Sequence, residues 1–237
     1  MTDLNKSEII VVLDRSGSMS SIKTDMEGGF NSFIAKQKEV PKNCLVSLVQ
    51  FDDHYEQVYT ALPISNVPAL CLQPRGSTAL FDALGKTINS VGARLRALSE
   101  AERPHQVVFL VITDGMENAS REFSPFQIQE MTKTQRDVFS WEFIYLGANQ
   151  DAFAAAQAMG VHHNVARYAA SGRGAKGLWD AVGAGMSNYL SSEQKTSGSI
   201  ISQASYNAAF DAVDPLAMHN IAPIAPQVGT PVTPPSK

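Results

Sequence analysis

Short runs of aliphatic and β-branched residues alternate along the chain with longer segments whose apolar residues recur at helical spacing. Ser7 to Leu13 and His105 to Thr113 are apolar at nearly every position after their first two residues, which is typical of central strands buried on both faces of a parallel sheet. Met26 to Glu39 and Ala79 to Leu98 repeat apolar residues every three or four positions, as amphipathic helices do. We therefore expect a sheet covered by helices.

The remaining segments continue this alternation. Cys44 to Phe51 and Tyr55 to Leu62 predict two antiparallel strands, joined by the hairpin link Asp52-Asp53-His54, with the second strand at the sheet edge. The last five predicted elements alternate helix and strand and are Ser124 to about Arg136, Trp141 to Leu146, Asp151 to Met159, Val161 to Tyr168 and Ala175 to Leu190. This order predicts an α/β fold with a mostly parallel, doubly wound sheet and helices on both faces.

The composition changes after about Glu193. Ser, Thr, Ala and Pro dominate there, and six of the 12 prolines lie between Pro215 and Pro235. This composition predicts a domain at 1–193 followed by a mostly disordered tail at 194–237. Apolar residues between 200 and 216 leave open a docking segment within the tail.

Charge and hydropathy narrow the function classes. The net charge is −4 and the Lys and Arg residues are scattered, so we expect no clustered positive surface for nucleic acid. The longest strongly apolar run, Val107 to Ile112, is too short to cross a bilayer. The N-terminal segment Met1 to Glu8 lacks the basic and apolar regions of a secretory signal. We therefore expect a cytoplasmic protein that binds no membrane. In such a compartment Cys44 and Cys71 are expected to be buried thiols, and a disulfide between them is the alternative.

Two strands end on carboxylates, Asp14 and Asp114, and ligands of open α/β sheets bind beyond the carboxyl ends of the strands. Ser16 and Ser18 follow Asp14 at alternate positions of a loop that Gly17 allows to turn tightly. Thr78 precedes the long helix and offers another hydroxyl. Each residue alone also fits a turn or a helix cap. Together they are hard oxygen ligands suited to Mg²⁺, Mn²⁺ or Ca²⁺.

The pattern Asp14-x-Ser16-x-Ser18, followed by Thr78 and then by Thr113-Asp114-Gly115, resembles the metal-ion-dependent adhesion site (MIDAS) of von Willebrand factor A domains. The resemblance covers about Ser7 to Leu190 and implies a Rossmann-like sheet with one antiparallel edge strand. It implies that Ser16 and Ser18 contact the metal directly, and that Thr78 does so directly or through water. It also implies that Asp14 and Asp114 act mainly through bridging waters and hydrogen bonds to the serines.

A cation held by neutral hydroxyls keeps most of its charge and attracts an anionic ligand from another molecule. We therefore expect a metal-dependent binding module, not an enzyme, that captures an exposed Asp or Glu of a partner protein, so that metal binding and partner binding reinforce each other. Intracellular members of the family often act beside AAA+ ATPases or in multi-protein assemblies, and the resemblance implies a partner of this kind.

Two other functions stay open at this stage. A strand-end Asp beside Mg²⁺ also resembles phosphatases with the pattern DxDx[TV], although Ser16 stands where that pattern has its second acid. The tail at 194–237 is the other candidate for partner binding. The loop from Glu117 to Arg121 is interpreted either as a determinant of partner choice or as a solvated loop. Asp52 and Asp53 lie at another strand end and are interpreted as hairpin residues, with an approach to the site as the alternative.

Overall fold

The computed structural model describes residues 2–148, 152–162, 164–168, 172–193 and 200. The strands in these ranges are β1 (Asp3–Asp14), β2 (Asn43–Phe51), β3 (Tyr55–Pro63), β4 (Pro104–Thr113), β5 (Glu142–Gly147) and β6 (Val165–Arg167). The α-helices are α1 (Lys23–Gln37), α2 (Leu80–Ala97), α3 (Pro125–Phe139), α4 (Ala152–Ala158) and α5 (Gly172–Ser191).

These strands form one sheet in the order β3-β2-β1-β4-β5-β6. The pairings of β1 with β2 and β4, of β4 with β5, and of β5 with β6 are parallel, whereas β2 and β3 are antiparallel. The predicted α/β fold, a Rossmann-like, mostly parallel sheet with an antiparallel edge strand and helices on both faces, is therefore confirmed.

Strand β1 lies inside the sheet and is buried on both of its faces. Ile9, Val11 and Leu13 pack in the core layer that contains α1 and α5. Ile10 and Val12 pack in the opposite layer, with α2 and α3. Successive side chains of a strand point to opposite faces, so this apolar run fills both layers at once. The end of β1 is consequently fixed from two sides.

The carboxyl ends of three parallel strands meet at one edge of the sheet, which we call the carboxyl edge. Asp14, the last residue of β1, pairs with Phe51, the last residue of β2. On the other side, Leu13 pairs with Ile112 of β4. Residues that follow β1, β2 and β4 are therefore neighbours in space although they are far apart in sequence.

Element boundaries differ from the predictions by up to a few residues, and β1 begins at Asp3 instead of Ser7. Within the described residues, the strand predicted over Val161 to Tyr168 is shorter and covers Val165–Arg167, the residues that pair with β5. Helix α3 starts as predicted, with a Ser124 side chain that caps it and Pro125 in its first turn, but it continues to Phe139.

The prediction of two buried thiols is right for Cys44 and wrong for Cys71. Both cysteines are free, and Cys71 is exposed. Its neighbours Leu70 and Leu72 are 7% and 0% exposed, so the extended segment between β3 and α2 points them into the core and Cys71 to solvent.

No helix among the described residues is long and apolar enough to cross a membrane. Of the predicted tail at 194–237, only Ile200 lies within the described residues. It is buried, and its backbone N–H donates to Asn164 Oδ1 at 2.6 Å. The division into a domain and a disordered tail stays a prediction.

Trp179 joins α5 to α1. Its side chain is buried against Phe30 and Phe33, with ring centroids 6.0 and 5.4 Å away. Its indole Nε1–H has no hydrogen-bond partner within the described part of the chain. The contribution of Trp179 is therefore apolar packing.

We expect Trp179→Ala to lower the free energy of unfolding by about 3–5 kcal/mol, because it leaves a cavity between the two helices. Trp179→Phe is expected to cost much less, since it keeps an aromatic ring and removes an N–H that is unpaired. Urea unfolding followed by far-ultraviolet circular dichroism measures both losses. Equal losses in the two variants would contradict this account.

Candidate metal centre

Asp14 anchors the candidate site at the end of β1. Its carboxylate is buried and accepts two hydrogen bonds at 2.6 Å, one at Oδ1 from the Ser16 backbone N–H and one at Oδ2 from Thr113 Oγ1. The first bond fixes the turn that leaves β1, and the second ties the end of β1 to the end of β4. Asp14 therefore sets the position of the loop that bears the two serines.

Ser16, Ser18 and Asp114 form a chain of hydrogen bonds. Ser18 Oγ donates to Asp114 Oδ1 at 2.6 Å, and Ser16 Oγ lies 3.0 Å from Ser18 Oγ. Two ligands at right angles around Mg²⁺, each about 2.1 Å from it, lie about 3.0 Å apart. The spacing of the serine oxygens matches this value.

Thr78 faces the serines across Gly115. A Cβ atom built on Gly115 would lie 2.7 Å from Thr78 Oγ1 and 3.4 Å from both Asp14 Oδ2 and Ser16 Oγ. Three side-chain oxygens, two from the end of β1 and one from the loop before α2, therefore surround one point, which a side chain at position 115 would fill. The hard oxygen donors and their convergence fit a small divalent cation.

Burial makes this group of carboxylates costly to ionise. Desolvation raises the pKa of Asp14 to about 6, against opposing hydrogen bonds from Thr113 and Ser16. Desolvation also raises the pKa of Asp114, against the hydrogen bond from Ser18. A cation beside the two groups would favour their ionised forms.

The loop after β4 positions Thr78 through its backbone. Asn118 Oδ1 accepts a hydrogen bond from the Thr78 N–H at 3.0 Å, and the Thr78 carbonyl accepts from the N–H groups of Asn118 and Ala119 at 3.0 and 3.2 Å. Asn118 therefore fixes the backbone of Thr78, and with it the position of the Thr78 side chain at the carboxyl edge.

Glu117 and Ser120 point inward from the same loop. Glu117 Oε2 accepts from the Phe81 N–H at 3.0 Å, and Ser120 Oγ accepts from the Asp82 N–H at 3.1 Å. Both bonds satisfy backbone donors in the first turn of α2, which lack partners within the helix. Glu117 and Ser120 are half-buried supports of α2, whereas Asn118 of the same loop is exposed, as expected of a solvated loop. Met116 is 63% exposed, and Arg121 is exposed as well.

Asp52 connects the hairpin to the loops that bear Ser16 and Thr78. Its buried Oδ2 accepts from Arg15 Nε at 2.9 Å and from Arg75 Nε at 2.8 Å. Arg15 is also buried and forms a second ion pair with Glu56 of β3. Asp52 follows β2 in the hairpin link, as predicted, and it also approaches the site, which was the alternative; its contacts with Arg15 and Arg75 were not predicted.

Asp52, Asp53 and His54 bring potential metal-binding atoms within 4.8 Å of one another. Asp52 already bears two arginine N–H donors. Its charge is therefore compensated by cations of the chain itself. The convergence of neutral hydroxyls at the carboxyl edge makes that edge the better place for a divalent ion.

The structure brings the five predicted site residues to the carboxyl edge, and they are Asp14, Ser16, Ser18, Thr78 and Asp114. Their role as metal ligands stays a prediction. Thr113 holds Asp14 directly but was predicted only as part of the motif. Its place at the end of β4, next to the end of β1, was the available signal for this contact.

The sequence matches no family model and no curated protein. Its fold is similar to that of solved structures. The PilB minor pilin from Streptococcus sanguinis gives a TM-score of 0.55 at 12% identity, over 78% of this chain and 62% of that one. Proximal thread matrix protein 1 from the mussel byssus, with a zinc-occupied MIDAS motif, gives a TM-score of 0.54 at 16% identity, over 79% of this chain and 47% of that one.

A von Willebrand factor type A protein from Catenulispora acidiphila gives a TM-score of 0.52 at 12% identity, over 80% of this chain and 43% of that one. The chain thus spans between 43% and 62% of the length of these three proteins. At these identities the likeness concerns the fold. The chain has the fold of von Willebrand factor A domains.

Proposed function

We propose that this protein is a metal-dependent binding module. Asp14, Ser16, Ser18, Thr78 and Asp114 would hold a divalent cation, Mg²⁺ or alternatively Mn²⁺ or Ca²⁺. When bound, the cation supplies the positive charge to which an Asp or Glu of a partner protein adds as a further ligand. A subunit of a multi-protein assembly, such as an AAA+ ATPase, is the class of partner that the resemblance implies.

The convergence of oxygens beside Gly115 is the observation on which the proposal depends. Thr78 Oγ1, Asp14 Oδ2 and Ser16 Oγ all lie within 3.4 Å of one point at the end of a parallel sheet. In ordinary turns or helix caps, such side chains would bond only to nearby backbone groups. The mussel protein whose structure has a zinc-occupied MIDAS motif shares this fold and supports the metal assignment.

The exposed side of the site favours a protein ligand. Ser18 is exposed whereas Ser16 is buried, so a partner approaches from the side of Ser18. Met116 follows Gly115 directly in the chain and is 63% exposed, which offers an apolar contact next to the captured carboxylate. Arg121 adds an exposed positive charge on the same loop.

The phosphatase alternative has less support. In that pattern the second acid transfers a proton, and Ser16 occupies its position. Ser16 Oγ bonds to Ser18 Oγ, and a hydroxyl cannot replace a carboxylate as an acid and base near neutral pH. We therefore propose a binding protein and not an enzyme. Tail binding through residues 194–237 is the remaining alternative.

We expect the metal-stripped protein to bind one equivalent of Mg²⁺ or Mn²⁺ in a calorimetric titration, and Gly115→Ala to abolish this binding. The variant keeps all five oxygen ligands, but its methyl carbon would lie 2.7 Å from Thr78 Oγ1. Gly92→Ala is the matched control, because its methyl would meet only Trp141, at 3.9 Å. Ser16→Ala combined with Ser18→Ala removes ligands without adding bulk.

Acetate is the simplest mimic of the partner's carboxylate, and the cation should bind more tightly in its presence. Capture of a partner from a cell extract should likewise be lost with EDTA and with Gly115→Ala. Absence of metal binding at millimolar concentration, with and without acetate, would refute the proposal. Capture that survives both treatments but fails after deletion of 194–237 would assign binding to the tail.

Asp14→Asn is expected to make the metal-free protein more stable at neutral pH. Each kcal/mol gained in the free energy of unfolding should raise the melting temperature by about 2–4 °C. The pKa of Asp14 is raised to about 6 when the protein is folded. Protonation therefore favours the folded state, and the contribution of this carboxyl is lost as the pH rises through about 6. The gap between variant and wild type should narrow as the pH falls below this value, and thermal melts between pH 4.5 and 8 measure it.

Saturating Mg²⁺ should reverse the order at pH 7.5. It stabilises the wild type by binding the folded state and leaves Asp14→Asn unchanged. A variant that is less stable than the metal-free wild type at every pH would contradict the electrostatic account.

A further inference from the structure

Three loops at the carboxyl edge are joined by one buried carboxylate. Asp52, directly after β2, accepts at Oδ2 from Arg15 and Arg75, and at Oδ1 from the His54 backbone N–H at 2.6 Å. Arg15 lies between Asp14 and Ser16, and Arg75 lies three residues before Thr78. We call Arg15, Asp52 and Arg75 the clamp.

Backbone hydrogen bonds run alongside the clamp and join the same loops. The Arg75 N–H donates to the Arg15 carbonyl at 2.8 Å, and the Gly17 N–H donates to the Gly76 carbonyl at 3.2 Å. The Ala79 N–H donates to the Asp52 carbonyl at 2.9 Å. The serine loop (residues 15–18) and the threonine loop (residues 75–78) therefore lie side by side, and their relative position determines the distance between Ser16 and Thr78.

Gly76 shows how closely these loops approach the hairpin. Its φ is +68°, and a Cβ atom there would lie 2.2 Å from Asp53 Oδ1. A side chain at this position would strain the backbone and displace Asp53, so glycine favours the close approach of this loop to the hairpin. The clamp and the close approach together place Thr78 opposite the serines.

We propose that Asp52 and Arg75 are positioning residues of the metal centre, which hold the threonine loop against the serine loop so that Thr78 Oγ1 and Ser16 Oγ reach the same cation. The inference rests on the proposed metal site. Residues that orient metal ligands typically change metal affinity by about 10–100-fold when they are lost. The side chain of Arg75 is 59% exposed and that of Asp52 is fully buried, so Arg75 is the partner that can be removed with little cost to folding.

Arg75→Ala separates positioning from simple charge, because the two effects have opposite signs. Removal of a positive charge near a cation site strengthens cation binding by electrostatics alone. Loss of a loop contact weakens binding. We expect the dissociation constant for Mg²⁺ to rise by about tenfold in Arg75→Ala, while the melting temperature of the metal-free protein stays within about 2 °C of the wild type.

Arg75→Lys keeps the charge and is expected to recover part of the affinity, since one ammonium reaches Asp52 without the guanidinium geometry. Arg96→Ala is the control for charge, because Arg96 is exposed near the far end of α2, at the opposite edge of the sheet. Amide hydrogen exchange provides a second readout in the absence of metal. The amides of Gly17 and residue 75 should exchange faster in Arg75→Ala and at the wild-type rate in Arg96→Ala.

The outcomes separate the two proposals. Wild-type protein that binds no Mg²⁺ would overturn the metal centre and the clamp with it. Wild-type binding that Arg75→Ala leaves unchanged or tightens, with unchanged exchange at Gly17, would overturn the clamp alone. Weakened binding with faster exchange and an unchanged melting temperature would support positioning.

Discussion

The parallel pairing of β1 with β4 is the contact on which the candidate site depends. Leu13 lies beside Ile112 in this pairing, so the next residues along, Asp14 and Thr113, meet at the carboxyl edge and share a hydrogen bond at 2.6 Å. The register cannot slip, because β1 buries alternate side chains in two different core layers and a shift by one residue would exchange them. Packing of the apolar core therefore specifies the position of the Asp14 carboxylate, although this polar group is not part of the apolar core.

From this fixed point the site is assembled outward in order of decreasing burial. Asp14 is fully buried, Ser16 is 2% exposed, and Ser18 is exposed. At the buried end, desolvation raises the pKa of Asp14. At the exposed end, another molecule has access to Ser18. On the other side of the site, Asn118 binds the backbone of Thr78, and Glu117 and Ser120 bind the first turn of α2 that follows it.

Most of the fold and the positions of the site residues follow from local sequence patterns. Continuous apolar runs identify β1 and β4, and Ser124 with Pro125 marks the start of α3, because these signals act within a few residues. The clamp was not predictable in this way, since Arg15 and Asp52 are 37 residues apart and a lone arginine in a loop is usually solvated. The shortened β6 and the exposed Cys71 also depend on tertiary pairing, which periodicity does not specify.

The loop after β4 divides its residues between two surfaces. Glu117 and Ser120 are engaged with the start of α2, whereas Met116 and Arg121 face solvent. Substitutions at the two outward positions leave the inward hydrogen bonds intact. If this face binds a partner as proposed, natural variation at Met116 and Arg121 can change the choice of partner without loss of folding stability, whereas Glu117 and Ser120 have to be kept for the start of α2.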